Sequence, residues 1–275
     1  MRWAVAICGV LVFAATLALG AWIGRDRGED EAARERGKRA TTVAIALCLL
    51  VILFRVALPV SAEWAVIGGW DGYALIRPWW PLPFAMLLLG AGAPHMSTPA
   101  ARKLVFAFAV IVALVSSQKM IATALFDPED VSGSVGPDGV CGQSTGYTCG
   151  AAAAAMLLWH HGIEVDEREM AVRCWTNAMT GTDEFCVVRG LRQKLEGTGR
   201  VVRLETPSWE QLQARTTPGM ATIKWSFFVD HWVLVREVTP QGVVVLDPVR
   251  GQVLLPEAEF REVWRGGLVT ADVPQ

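Results

Sequence analysis

Two runs near the amino terminus constrain this chain more than anything else in it. Residues 3–24 carry no charge and residues 41–60 only Arg55, each over roughly twenty positions, the length that crosses the hydrocarbon core of a bilayer. A third run, 101–126, is uncharged from 104 to 115 and meets Lys119 near its end, where a long side chain can snorkel to the interface. Between them, 79–95 is apolar but interrupted by Pro81, Pro83 and Pro94, and sits at the lower limit of spanning length. Trp64, Trp70, Trp79 and Trp80 surround that segment, as residues with an apolar ring and a polar N–H do at headgroup level. An apolar fraction of 52% and a mean hydropathy of +0.35 agree with a membrane portion. The expectation is an all-α transmembrane region of about four helices in residues 1–126, with the lipid bilayer as a partner.

The loops set the orientation. Residues 25–39 hold six Lys or Arg, 61–78 hold only Arg77, and 97–103 hold Arg102 and Lys103, so the first and third loops are expected in the cytoplasm. Four crossings then place both termini outside, and the chain reads as a multi-pass protein of the cell (inner) membrane. If 79–95 does not cross, the same loop puts the carboxy-terminal domain in the cytoplasm. A separate alternative takes residues 1–20 as a cleaved signal peptide, because Ala18-Leu19-Gly20 resembles a small-residue cleavage site.

Composition changes abruptly at Asp127-Pro128-Glu129-Asp130, and 127–139 reads as a linker before a domain over 140–275. The alanine-rich segment 149–161 predicts a helix closed by Gly162. A second helix is predicted over 166–174, with Asp166 as N-cap and Glu169 completing a capping box. A third is predicted over 183–196, capped by Thr182. Then the period changes: 201–204, 220–225, 231–238 and 243–246 are rich in β-branched and aromatic residues, with turns at Pro218-Gly219 and Pro240-Gln241-Gly242. Helices first and an antiparallel sheet after them describe an α+β domain, not a doubly wound sheet.

Four residues in this domain form a chemical set. Cys149 opens the first helix, where unsatisfied N–H groups and the macrodipole favour thiolate over thiol. His231 begins the apolar strand His231-Trp232-Val233-Leu234-Val235, and Asp247 follows the next, before Pro248. Pairing of those strands through the intervening turn brings the imidazole beside the carboxylate, the base and orienter that a cysteine nucleophile requires. Gln143, six residues before Cys149, is close enough for its amide to serve an oxyanion together with the Cys149 N–H. Taken singly, each has a plain structural reading: a small core residue, a satisfied strand-end histidine, a turn and a solvated loop amide.

The run Gln143-Ser-Thr-Gly-Tyr-Thr-Cys149-Gly150-Ala151-Ala152, then His231-Trp232-Val233-Leu234, then Asp247-Pro248 with Gly251, resembles the double-glycine leader peptidase family. These are papain-like cysteine peptidases fused to bacteriocin-exporting ABC transporters. The resemblance covers 139–265 and implies a papain-like fold, with Gln143, Cys149, His231 and Asp247 as oxyanion donor, nucleophile, general base and orienter. It also implies cleavage after a Gly-Gly pair in a leader peptide. The chain departs from the family in having no G-x-x-x-x-G-K-[ST] motif and in placing the peptidase after the membrane segment. Any ABC transporter partner is therefore expected to be separately encoded.

The other classes are weaker. A net charge of -2 gives no electrostatic reason for nucleic acid. His160 and His161 adjoin on a helix and point apart, so no metal or cofactor is expected. Cys174 and Cys186 are expected to bridge if the domain lies outside, leaving Cys141 unpaired. The alternatives to a peptidase are an inactive peptide-docking domain, which would need neither Cys149 nor His231, and an amidase or acyltransferase using the same thioester chemistry.

Overall fold

The computed structural model describes residues 2–23, 81–95, 98–227 and 229–273, together with isolated positions between 35 and 74. The chain divides into two compact units, Met1–Ala124 and Leu125–Gln275.

In the first unit, α1 spans Arg2–Ile23, α2 spans Pro81–Gly92 with a 3₁₀ turn Ala93–His95 after it, and α3 spans Pro99–Leu125. Pro81 opens α2, where the missing N–H costs nothing. Two glycines let α1 and α2 touch backbone to backbone. A Cβ on Gly20 would fall 2.2 Å from the Leu87 carbonyl oxygen, and one on Gly90 would fall 2.3 Å from that of Leu17. Phe13, Met86 and Ala109, one from each helix, form the buried centre.

Three of the four expected membrane segments coincide with these helices. The second, 41–60, lies outside the described residues apart from isolated positions, as do the loops 25–39 and 61–78. Among the described residues, no helix is long and apolar enough to cross a membrane.

The second unit begins with fixed structure where a linker was expected. Pro128–Asp130 form a 3₁₀ turn capped by Asp127, Val131 is buried with its carbonyl held by Arg168 Nε at 2.8 Å, and Val135 bridges to Cys141. Then come α4 (Cys149–His160), α5 (Glu167–Arg173) and α6 (Glu184–Lys194). The order continues with β1 (Val201–Glu205), α7 (Trp209–Gln213), β2 (Gly219–Lys224), β3 (Asp230–Thr239) and β4 (Gly242–Asp247). It closes with β5 (Gly251–Leu255), α8 (Glu257–Val263) and β6 (Trp264–Asp272). The unit is α+β, as expected.

The α4 helix is buried all round, from Gly150 through Leu158, which is why it shows no amphipathic period. Its alanines let α5, α6 and β3 approach closely. The α5 cap is as expected at Asp166, which accepts from Glu169 N, but the Glu169 carboxylate turns away to Arg173 and Lys194 and leaves the capping box half made. The cap of α6 is Asp183 and not Thr182: its carboxylate accepts from Phe185 N and Cys186 N, while the Thr182 hydroxyl is committed to Thr176 at 2.6 Å.

All strands pair antiparallel in one sheet of order β1-β6-β2-β3-β4-β5. On one face, Ala221, Ile223, Val233, Val235, Val243 and Val245 pack with Trp209 and Leu212 of α7 and Phe260 of α8. Met220, Trp232, Leu234 and Leu246 alternate with them and are buried on the other face, where α4 packs on β2 and β3. The tight turn into β4 uses Gly242 at φ +143, and a Cβ there would lie 2.3 Å from the Leu255 carbonyl oxygen.

Candidate active site

Pairing of β3 with β4 sets Leu234 opposite Leu246, so Asp247 falls one step on, on the same face as His231 and diagonal to it. Both side chains are buried, and His231 Nε2 lies 2.8 Å from Asp247 Oδ1. Oδ1 also accepts from the Val249 N–H at 2.8 Å. Burial alone would raise the Asp247 pKa, but the facing imidazole and this donor hold it below the ordinary carboxylate value.

Cys149 is the first residue of α4, and its sulfur is close enough to His231 to act on the ring's proton affinity. With Nε2 taken by Asp247, Nδ1 is the ring nitrogen left for the sulfur. Burial, the largest influence on His231, would lower its pKa. The hydrogen bonds to Asp247 and Cys149 and the charges of both outweigh it and raise the imidazole to about 9. One ring therefore joins the sulfur to the carboxylate.

The approach of α4 to the sheet depends on Gly150. A Cβ there would lie 2.8 Å from Thr182 Cβ and 3.1 Å from Trp232 Cδ1, and the Trp232 indole N–H donates to the Thr182 carbonyl at 2.8 Å. An alanine at 150 would overpack this contact, at about 1–3 kcal/mol, and push Cys149 away from the ring.

The match with known proteins falls on the second unit. The family model described as the Peptidase C39 family matches 139–274, a segment that contains Cys149, His231 and Asp247. The second unit is a peptidase C39 domain. It is by that membership a cysteine peptidase. The lactococcin-G-processing and transport ATP-binding protein LagD of Lactococcus lactis is 26% identical over 121 residues, which are 44% of this chain and 17% of that protein. An uncharacterized protein of Methanothermobacter marburgensis is 23% identical over 143 residues, 52% of this chain and 94% of its own length. Among solved structures, a double glycine motif protease from an AMS/PCAT transporter, in complex with the leader peptide, aligns with TM-score 0.44 and 22% identity over 52% of this chain and 95% of that one.

Of the sequence-derived residues in this C39 domain, Cys149, His231 and Asp247 come together, and Gln143 joins them differently from expectation. Its backbone N–H donates to the Pro248 carbonyl at 3.0 Å, which fastens its loop to the turn after Asp247. Its side-chain amide donates to the Thr145 carbonyl at 2.6 Å, and its Oε1 is buried without a partner. One of the two amide hydrogens is thus spent inside the loop. The Thr148 hydroxyl, at the N-cap of α4, also turns to Thr145 and leaves the first N–H groups of the helix uncapped.

Three neighbours went unnoticed in the sequence. Trp225, 43% exposed, leans on the His231 ring at 4.7 Å between centroids, and the Arg250 guanidinium covers Trp225 at 4.8 Å. Arg250 Nε is also 3.9 Å from Asp247 Oδ2. A tryptophan ending a strand and an arginine in a turn carry no local mark that would have set them apart. The third, Glu167, is treated below.

The other three cysteines of this unit are buried. Burial, with Glu167 and Asp166 nearby, pushes the Cys141 thiol up to about 12, and burial does the same to Cys174. The bridge expected between Cys174 and Cys186 is not formed. Cys186 stands in the first turn of α6 with its sulfur turned back to the Asp183 carboxylate at 3.5 Å. Cys174 packs one turn further along, with Sγ directed to the Val187 carbonyl at 3.9 Å and against Gly190. The two sulfurs therefore face different levels of one helix. His160 and His161 stand at the opposite end of α4 from Cys149, His160 edge-on to Trp159.

Proposed function

We propose that this chain is a membrane-anchored cysteine peptidase in which Cys149 attacks a peptide carbonyl. The single observation that carries this reading is the buried His231 ring, which bonds Asp247 at 2.8 Å and is raised in pKa by Asp247 and Cys149 together. In the attack, a C–S bond forms and the carbonyl π electrons move to oxygen. The imidazolium then gives its proton to the leaving amine, and water releases the thioester. Asp247 keeps the ring in place and favours its charged form. The uncapped Cys149 N–H and the second amide hydrogen of Gln143 receive the oxyanion.

By its family, the substrate is a peptide cut after Gly-Gly, as in a leader sequence, and half-exposed Trp225 offers apolar side chains a surface beside His231. A peptide-docking role without chemistry has less support, because binding needs no Cys149–His231 contact. Alkylation decides between them. Iodoacetamide added to the full chain near pH 7, followed by peptide mapping, should modify Cys149 first and at least tenfold faster than Cys141 or Cys186. Earlier modification of Cys141 or Cys186 would remove Cys149 as nucleophile.

The membrane anchor rests on the uncharged lengths of 3–24, 41–60 and 101–126 and on the basic loop 25–39. With 79–95 crossing as well, the peptidase lies on the outer face. Alkaline phosphatase fused after Gln275 should then be active, and a fluorescent protein that folds only in the cytoplasm should stay dark there. The reverse pattern would place the domain on the cytoplasmic face and make 79–95 re-entrant.

A further inference from the structure

The Glu167 carboxylate is fully buried, and it is not an ordinary first-turn acid of α5. Oε2 accepts from Gly133 N at 2.9 Å and from the Ser144 hydroxyl at 2.6 Å, and Oε1 accepts from Ser144 N at 3.0 Å. Glu167 N closes the bracket by donating to the Gly133 carbonyl at 2.9 Å. Gly133 is needed for this approach, since a Cβ there would lie 2.4 Å from Oε2.

Ser144 is the link between Gln143 and Thr145. Its neighbours on both sides belong to the oxyanion side of the site: Gln143 by its amide, and Thr145 by the carbonyl that receives that amide. Thr145 in turn holds Thr148, the residue before Cys149, through hydroxyl contacts at 3.0 and 3.2 Å. A buried anion gripping the backbone and side chain of Ser144 therefore fixes the loop from its centre, with a short charge-assisted bond as the strongest point. The distance from Glu167 to the reacting atoms is bridged by backbone, and nothing in the contacts requires Glu167 to meet the substrate.

We propose that Glu167 is a positioning residue for the oxyanion side of the site, acting through Ser144 to hold the Gln143 amide in place. This rests on the assignment of Gln143 made above. It predicts a selective defect. Reactions that pass through an oxyanion should suffer when Glu167 is altered, and reactions of the same thiol at a saturated carbon should not.

The test uses two probes on the full chain. Acylation of Cys149 by p-nitrophenyl acetate forms a C–S bond at a carbonyl, passes through an oxyanion and expels p-nitrophenolate. Alkylation by iodoacetamide forms a C–S bond at a saturated carbon, expels iodide and makes no oxyanion. Glu167→Gln keeps size and burial but turns an NH₂ toward a donor. It should slow acylation about tenfold and leave alkylation of Cys149 within about twofold, given that losing one oxyanion donor outright is worth roughly 10²–10³. Combined with Gln143→Ala, it should add nothing further, because both act on one element. Equal losses in both reactions, or a fully additive double variant, would overturn the inference in favour of a merely structural latch. Should Glu167→Gln not fold, Ser144→Ala removes the hydroxyl bond from the other end and should show the same selectivity at about threefold, and no change in acylation there would overturn it too. An unchanged acylation rate in Gln143→Ala sinks the oxyanion assignment itself. A slowed Gln143→Ala beside an unaffected Glu167→Gln sinks only the role of Glu167.

Discussion

Replacing His231 with alanine should lower kcat/KM for a chromogenic peptide ending in Gly-Gly-p-nitroanilide by about 10⁴-fold, with the far-ultraviolet circular dichroism unchanged. The size follows from what the ring does. In the proposed mechanism it stands between Cys149 and Asp247, so its loss removes both the base and the donor of a proton to the leaving amine. The fold should survive. Asp247 keeps the Val249 N–H and the nearby Arg250 guanidinium, and Trp225 can settle into the vacated space. The stability loss should stay within about 1–3 kcal/mol, the range of a single partly compensated truncation. A His231→Ala rate within tenfold of the wild type would exclude the proposed mechanism.

What could be read from the sequence was whatever is encoded locally. The alanine run of α4 ending before Gly162, and the β-branched runs of β3 and β4 around Pro240-Gln241-Gly242, carry their own period and punctuation, and the His231–Asp247 contact follows from that hairpin alone. The position of β6 does not. Trp264–Asp272 contains Gly266 and Gly267, reads poorly as a strand, and slots between β1 and β2 through pairings far apart in sequence. The segments β5, α7 and α8 were missed for a related reason: each is short and takes its meaning from the sheet it covers or extends.

The errors at caps and loops have a common cause. Thr182 and Asp183 are both good caps, and the choice fell to Asp183 because Thr176 claims the Thr182 hydroxyl, a contact across a loop. Glu167 has no mark in the sequence beyond its place in a helix first turn, and only the path of 132–144 around it makes its carboxylate a hub. Cys174 and Cys186 are spaced as a bridge could be, but their sulfurs face different turns of α6. In the first unit, length and charge marked the apolar segments, whereas the Gly20–Gly90 crossing needed the helices in place.

The claim at the centre of this account is that Asp247 and Cys149 share one imidazole and hold it charged. The pH dependence of kcat/KM reports that charge in the free enzyme. His231 is raised to about 9 because hydrogen bonds and charges from Asp247 and Cys149 overcome burial, so the proton donor is present below that pH and lost above it. In the wild type, kcat/KM for the p-nitroanilide peptide should therefore fall as pH rises through about 9. Asp247→Asn removes the carboxylate charge, leaves burial in force and lowers the ring pKa, so the alkaline limb should move to lower pH by about one unit or more, with a loss of roughly 10²-fold at the optimum. That loss is smaller than for His231→Ala because Trp225 and the strand pairing still hold the ring. The paired profiles of wild type and Asp247→Asn are the most direct test. A downward shift of the alkaline limb is the result this account predicts, and superimposable limbs would contradict it.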